Sequence, residues 1–213
     1  MLSRQARRAD GVCSQLAPGH ALEAPLGYLS PRALLFLGRH HLRMTLKVDP
    51  DRVRIRPVTI EDRSTLLEFR FAMWADIDAA SHHGPHAAAS GIADRATLLK
   101  DSERWLDRHI GHDFVAFIAD LDGRPAATAA LMWFDHPPVP ANPNGVEAYI
   151  LNVYARPEAR HIGLARALIE RLIAEARTAG VRRIWLRASD AGRPLYESVG
   201  FWSQEDDMRL TLD

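Results

Sequence analysis

Leu151-Asn152-Val153-Tyr154-Ala155-Arg156-Pro157-Glu158-Ala159-Arg160-His161-Ile162-Gly163-Leu164-Ala165 is the stretch on which the fold turns. Its first part is rich in apolar residues, Arg156-Pro157 interrupts it, and Gly163 and Ala165 stand at the mouth of a run with a new period. The pattern predicts a strand ending near Tyr154, a turn, and a helix opening near Gly163. Small side chains at a helix mouth let a ligand approach the backbone closely. The free N–H groups of a first helical turn, with the helix dipole behind them, favour an anion, and Arg160 adds a full charge. A phosphate-bearing ligand is the physical expectation; plain close packing of helix on strand is the alternative.

On the C-terminal side, Leu164, Leu168, Leu172 and Ala176 recur every fourth place, flanked by Ala165, Ile169 and Ile173. That stripe predicts a helix from Gly163 to Ala179, stopped by Gly180 as a C′ glycine. Val181 to Ala188, with Ile184-Trp185-Leu186 at its centre, reads as a strand, Arg193 to Val199 as a short helix closed by Gly200, and Phe201 to Leu212 as a final strand. Strand, helix, strand in that order implies a right-handed crossover with the helix packed on a sheet.

On the N-terminal side, Val53-Arg54-Ile55-Arg56-Pro57-Val58 alternates as a half-buried strand, with Pro57 limiting its inner pairing. Thr59 reads as an N-cap with Asp62 completing a carboxylate capping box, and Leu66, Leu67, Phe69, Arg70, Met73 and Trp74 follow at helical spacing. A second helix is expected over Ala93 to Ile110. Asp122-Gly123 between the apolar run at Phe114 to Ala119 and that at Ala126 to Phe134 predicts a hairpin. Asp135 to Gly145 carries Pro137, Pro138, Pro140 and Pro143 and must be a loop, and Val146 to Tyr154 is the strand with which the key stretch begins.

The chain has 213 residues, 47% hydrophobic and 25% charged, enough for one good core and short for two full domains. Lys+Arg and Asp+Glu both total 27, and the zero formal charge argues against a whole-surface grip on nucleic acid or anionic lipid. Any polyanion must be held locally. One cysteine, Cys13, excludes an internal disulfide framework and a thiolate zinc site, which fits a reducing, cytoplasmic setting. No stretch approaches the roughly 20 apolar residues of a membrane helix. Residues 1 to 43 hold six arginines, scattered Gly and Pro and no lasting period. They are expected to be a flexible extension outside the domain at 53 to 213, or to precede a true start at Met44.

Arg160, Gly163 and Ala165 match a signature of Arg or Gln, two residues, Gly, one residue, then Gly or Ala. Ala188-Ser189-Asp190-Ala191-Gly192-Arg193-Pro194-Leu195-Tyr196-Glu197-Ser198-Val199-Gly200-Phe201 ends in Leu-Tyr, three residues, Gly-Phe. With Ile55-Arg56-Pro57 and Asp62, these motifs make the chain resemble the GNAT superfamily of acetyl-coenzyme A dependent N-acetyltransferases over roughly Val53 to Leu212. His161 departs from a common glycine where only backbone is needed, and Ala165 is an accepted replacement for the second glycine.

The resemblance implies an α/β (α+β) GNAT fold, a mixed central sheet of about six to seven strands flanked by about four helices, with strands four and five splayed beside a bulge. Acetyl-CoA is the implied co-substrate, with no metal. Its pantetheine arm would pair with main-chain groups of Val153 and Ala155, its pyrophosphate with Arg160 and the amides of His161, Ile162, Gly163, Leu164 and Ala165, and Ser189 completes the expected cofactor-binding set. Such binding by backbone lets a neutral protein hold a multiply charged ligand.

The implied reaction is acetyl transfer to a primary amine of a small molecule or peptide by direct attack in a ternary complex. The amine must lose a proton, the developing oxyanion needs a donor, and the departing thiolate needs a proton. Tyr196 is the expected acid, against a plain reading as a helix tyrosine packed on the sheet. Glu147 is the candidate base, placed by alternation on one face with Tyr149, Leu151 and Val153. The alternatives are an edge-strand carboxylate in solvent, with a carbonyl of Leu151 or Asn152, or water alone, taking the proton.

His82-His83-Gly84-Pro85-His86 has neither a helix-face spacing nor a cysteine nearby and reads as a mobile loop, not a metal site. With the loop at 135 to 145 it is where the family builds its acceptor pocket, so Trp74, His82, His83 and Trp133 are candidates for shaping substrate choice. Rival readings are transfer of a longer acyl group and a catalytically silent coenzyme A or nucleotide sensor, which Tyr196 disfavours. A Rossmann module does not fit, for no Gly-x-Gly-x-x-Gly stands before the helix. No nucleic-acid or membrane partner is expected, and a homodimer through edge strands is left open.

Overall fold

The structure, a computed structural model, describes residues 46–80 and 94–204. Expectations for residues 1 to 43 and for His82, His83 and His86 lie outside these.

Among the described residues five strands form one sheet in the order β1 (Val53–Pro57), β2 (Phe114–Leu121), β3 (Arg124–Asp135), β4 (Val146–Ala155) and β5 (Ile184–Leu186). Neighbours are antiparallel from β1 to β4, whereas β5 runs parallel to β4. The β2–β3 hairpin turns at Asp122 and Gly123, both left-handed at φ 51° and 76°, which is why Asp-Gly suits the position. Helix α1 (Arg63–Ala80) follows a 3-10 turn, Ile60–Asp62, and is shorter at its start than the sequence suggests. Asp62 still accepts the Thr59 N–H at 3.0 Å, as the capping expectation requires. Helix α2 (Arg95–His109) is capped by Asp94, whose carboxylate accepts the Thr97 N–H at 2.9 Å.

The connection from β4 to β5 runs through α3 (Leu164–Thr178), and α4 (Arg193–Ser198) follows β5. In α3 the expected stripe is the buried one: Leu164, Leu168, Leu172 and Ala176 are at most 1% exposed. They pack on one face of the sheet against Leu131, Ala148 and Ile150. The other face carries a second cluster, in which Leu66 and Leu67 of α1 and Leu106 of α2 meet Phe114, Ala116 and Ala130.

Two strand expectations are corrected. The strand at 181 to 188 shrinks to Ile184–Leu186, because the α3 C-terminus claims its start: Gly180 is left-handed and the Val181 N–H donates back to the Ala176 carbonyl at 2.9 Å. Phe201 to Gln204 carry no strand, and the rest of that expected strand lies outside the described residues. Among the described residues no helix is long and apolar enough to cross a membrane, and no group of three or more His, Cys, Asp or Glu is placed to hold a metal.

Candidate active site

β5 pairs with β4 only at Ala148, Ile150 and the Tyr149 between them. β4 runs on to Ala155, so its edge from Leu151 onward has no β5 partner. At the start of that open edge Asn152 is left-handed, φ 54°, and the β3–β4 register shifts between Thr128 and Ala130. One extra residue in β4 reverses the alternation. Leu151 packs with the α1–α2 cluster, whereas Val153 packs with the α3 cluster. The expectation that Glu147, Leu151 and Val153 share a face fails for Val153 for this reason.

Below the gap the chain turns into α3. His161 and Gly163 are left-handed, φ 62° and 98°, and Gly163 is the N-cap residue. The Lys47 N–H donates to the Ile162 carbonyl at 2.9 Å, and the Ala167 N–H closes the first helical turn on Gly163. Among the described residues, the N–H groups of residues 161 to 166 donate to no protein acceptor. A row of free amides at a helix N-terminus is an anion site in both geometry and dipole.

Arg160, expected to add its charge there, is drawn to the other side of the turn. Its Nε donates to the Ala155 carbonyl at 3.1 Å, its terminal nitrogen pairs with Asp76 of α1, and its guanidinium lies 5.8 Å from the Tyr154 ring centroid. The Arg156 N–H donates to Ala126 in β3, which turns the main chain of Ala155 toward the open edge. Ser189 holds the start of α4: its carbonyl accepts the Arg193 N–H at 2.9 Å and its hydroxyl the Gly192 N–H at 3.2 Å.

Tyr196, on α4, is packed between that turn and Phe201. A Cβ at Gly192 would stand 3.0 Å from its ring, and the Phe201 ring meets it edge-on at 6.1 Å. Burial, with the charge of Tyr149 second, pushes its phenol up to about 12. Tyr196 therefore stays a neutral O–H donor through the physiological range, the state a general acid needs.

Glu147 is not an edge carboxylate. β4 lies between β3 and β5, and Glu147 is 3% exposed. Its carboxylate accepts from Arg183 at 3.0 Å and from the Trp185 indole, with His136 Nε2 at 3.3 Å. His136 heads the proline-rich loop, which closes where its N–H donates to the Gly145 carbonyl at 2.8 Å. Gly145 is required there, since a Cβ would fall 2.3 Å from the His136 carbonyl oxygen. Trp133 packs toward α3, while Trp74 stacks under the Arg70 guanidinium at 4.2 Å. From sequence Arg70 is only a residue of the helical stripe and Asn152 only an alternative carbonyl for the proton, not the site of a bulge. An asparagine inside an apolar strand, a residue type that tolerates positive φ, was the available signal for the bulge.

A parallel pair that opens after three residues onto a helix mouth of free amides is the architecture of the N-acetyltransferases. The model of the Acetyltransferase (GNAT) family matches residues 76–201. The [Ribosomal protein bS18]-alanine N-acetyltransferase of Escherichia coli strain K12 is 35% identical over 117 residues, 54% of this chain and 72% of that protein. The chain belongs to the GNAT family and is an N-acetyltransferase. Two crystal structures share the fold. The predicted acetyltransferase with acetyl-CoA from Clostridium acetobutylicum superposes with TM-score 0.64 at 28% identity, covering 75% of this chain and 96% of that one. A GCN5-related N-acetyltransferase from Ralstonia eutropha JMP134 gives 0.63 at 27%, covering 75% and 98%.

Proposed function

We propose that the protein transfers the acetyl group of acetyl-CoA to the terminal amine of a peptide or protein. The observation that carries this reading is the pairing of an edge of β4 that β5 leaves open from Leu151 onward with the free amides of residues 161 to 166 at the mouth of α3. The residues present fit the cofactor: the amides of His161, Ile162, Gly163, Leu164 and Ala165 would hold its diphosphate, and main chain at Val153 and Ala155 its pantetheine arm. Arg160 orders the turn between the two and lends charge from its flank. The thioester supplies an activated acyl carbon and a thiolate leaving group. The peptide acceptor follows from relatives named as acetylating an alanine of ribosomal protein bS18.

The chain's own groups then divide the work. Tyr196 gives its phenolic proton to the departing sulfur. Glu147, whose carboxylate already accepts from Arg183 and Trp185, takes the proton of the amine through a water at a remaining acceptor direction. Ser189 acts at the cofactor edge by fixing the α4 turn that carries Tyr196.

Release of coenzyme A thiol with acetyl-CoA and short peptides of free N-terminal alanine tests the reaction. Calorimetric titration of acetyl-CoA tests the site, with Gly163→Trp expected to abolish the heat of binding. Binding that survives this bulky replacement overturns the assignment of the amides.

A further inference from the structure

Among the described residues Arg70 is a cation with no carboxylate partner, whereas several arginines of the same fold have one. It lies on α1 between two tethers to the end of β4, Glu68 to Arg156 at 2.7 Å and Asp76 to Arg160. Between them its Nη1 donates to Oδ1 of Asn152 at the β4 bulge, and its guanidinium stacks on Trp74, 4.2 Å from the ring centroid. Around it Arg56, Arg63, Arg156 and Arg160 each reach a carboxylate. Among the described residues Arg70 reaches only the Asn152 amide oxygen.

A guanidinium has five N–H donors, and one such acceptor leaves most of the fork free. Burial depresses its pKa from the ordinary value, the response of a charge withdrawn from water without an opposite charge. A planar fork held against an indole face and by the Asn152 amide is preorganised for the two oxygens of a carboxylate. Its place beside the bulge puts it on the α1 side of the gap, across the sheet from α3.

We propose that Arg70 is a specificity-determining residue that binds a carboxylate carried close to the reactive amine, so that the preferred acceptor is a peptide with an acidic residue among its first positions. The proposal rests on the peptide-acceptor reading above and sharpens it.

The probes are matched peptide amides with free N-termini, Ala-Asp-Ala and Ala-Glu-Ala against Ala-Asn-Ala and Ala-Gln-Ala. Their binding to the full chain saturated with coenzyme A is measured by calorimetry, alongside thiol release from acetyl-CoA. An acidic peptide is expected to bind about 10- to 100-fold more tightly than its amide counterpart, the range of a charge-assisted hydrogen bond. The ratio should shrink as salt is raised, fall toward one in Arg70→Gln and recover in part in Arg70→Lys. A merely structural arginine would change stability and leave the ratio intact. Equal binding of acidic and neutral peptides to the native protein, or a ratio that survives in Arg70→Gln, overturns the proposal. If Arg70→Gln does not fold, the ratio and its salt dependence in the native protein decide alone. Acid-selective binding without thiol release from any peptide would uphold Arg70 and strike the acetylation reading instead.

Discussion

The main-chain N–H of Lys47 donates to the carbonyl of Ile162 at 2.9 Å, which ties the segment ahead of β1 to the turn that opens α3. Leu46, 9% exposed, anchors this strap in the core beneath α3. With the Ile162 carbonyl held, the amides around it keep their outward direction without a ligand to order them. Leu46→Ala is expected to weaken coenzyme A binding about 3- to 10-fold through lost preorganisation, while the global melting transition moves little. Calorimetry and a thermal melt on the same sample check this; unchanged affinity would detach the strap from the site.

Tyr196→Phe is expected to lower kcat by about 10² to 10⁴, the range for a positioned acid, and to leave coenzyme A affinity within a factor of about two. Because the phenol is raised to about 12, it remains protonated throughout pH 7 to 10. The alkaline limb of the native rate profile should therefore show no fall from this group until the pH climbs toward that value. A steady-state pH profile measures it, and a phenolic break near pH 9 would contradict the burial.

Glu147→Gln keeps the shape of the side chain but removes the charge that Arg183 and His136 face and the capacity to take a proton. A loss of kcat/KM of about 10² or more is expected with peptide acceptors, and it should be smallest at high pH, where the amine arrives already neutral. Arg183→Met leaves the carboxylate in place and serves as the control. Equal losses at every pH in Glu147→Gln would reduce Glu147 to a strut for the proline-rich loop.

Arg56 bridges Asp62 at 2.8 Å and Asp120 at 2.9 Å, whose side chains are 13% and 11% exposed. Its hydrogen bonds hold the Asp62 carboxyl below the ordinary value. The folded state then binds fewer protons than the unfolded one near pH 4, so the contribution is full above the ordinary carboxylate range and disappears as pH falls through the depressed value. Arg56→Met, which strands two largely buried carboxylates, is expected to cost about 3 kcal/mol at pH 7. Urea melts at pH 7, 5, 4 and 3 should show the gap between native and variant closing toward acid; a constant gap would mean that packing, not charge, is lost.

Much of the scaffold was legible from local pattern. The α3 stripe, the Asp122-Gly123 turn, the Gly180 stop and the Asp62 cap each depend on residues within a few positions of one another, and each stands where the periodicity places it. The helix mouth at Gly163 was legible for the same reason. Glu147 was legible as a candidate but not its surroundings: nothing around it in sequence tells that β5 would cover it or that Trp185 and His136 would close on its carboxylate. The alternation through β4 broke at Asn152, where one left-handed residue reverses every side chain after it.

By itself, then, the sequence determined most of the elements, their order and the small-residue helix mouth, though not the extent of the last strands, because dihedral preference and amphipathic period are written into short windows of chain. Only the tertiary structure decided where β4 and β5 part, that Glu147 is buried and that Arg70 reaches Asn152 and, among the described residues, no carboxylate. Those facts depend on partners far along the chain, 36 positions from Glu147 to Arg183 and 82 from Arg70 to Asn152. Which distant groups meet is set by how the two faces of the sheet are covered, and no short stretch of sequence carries that information.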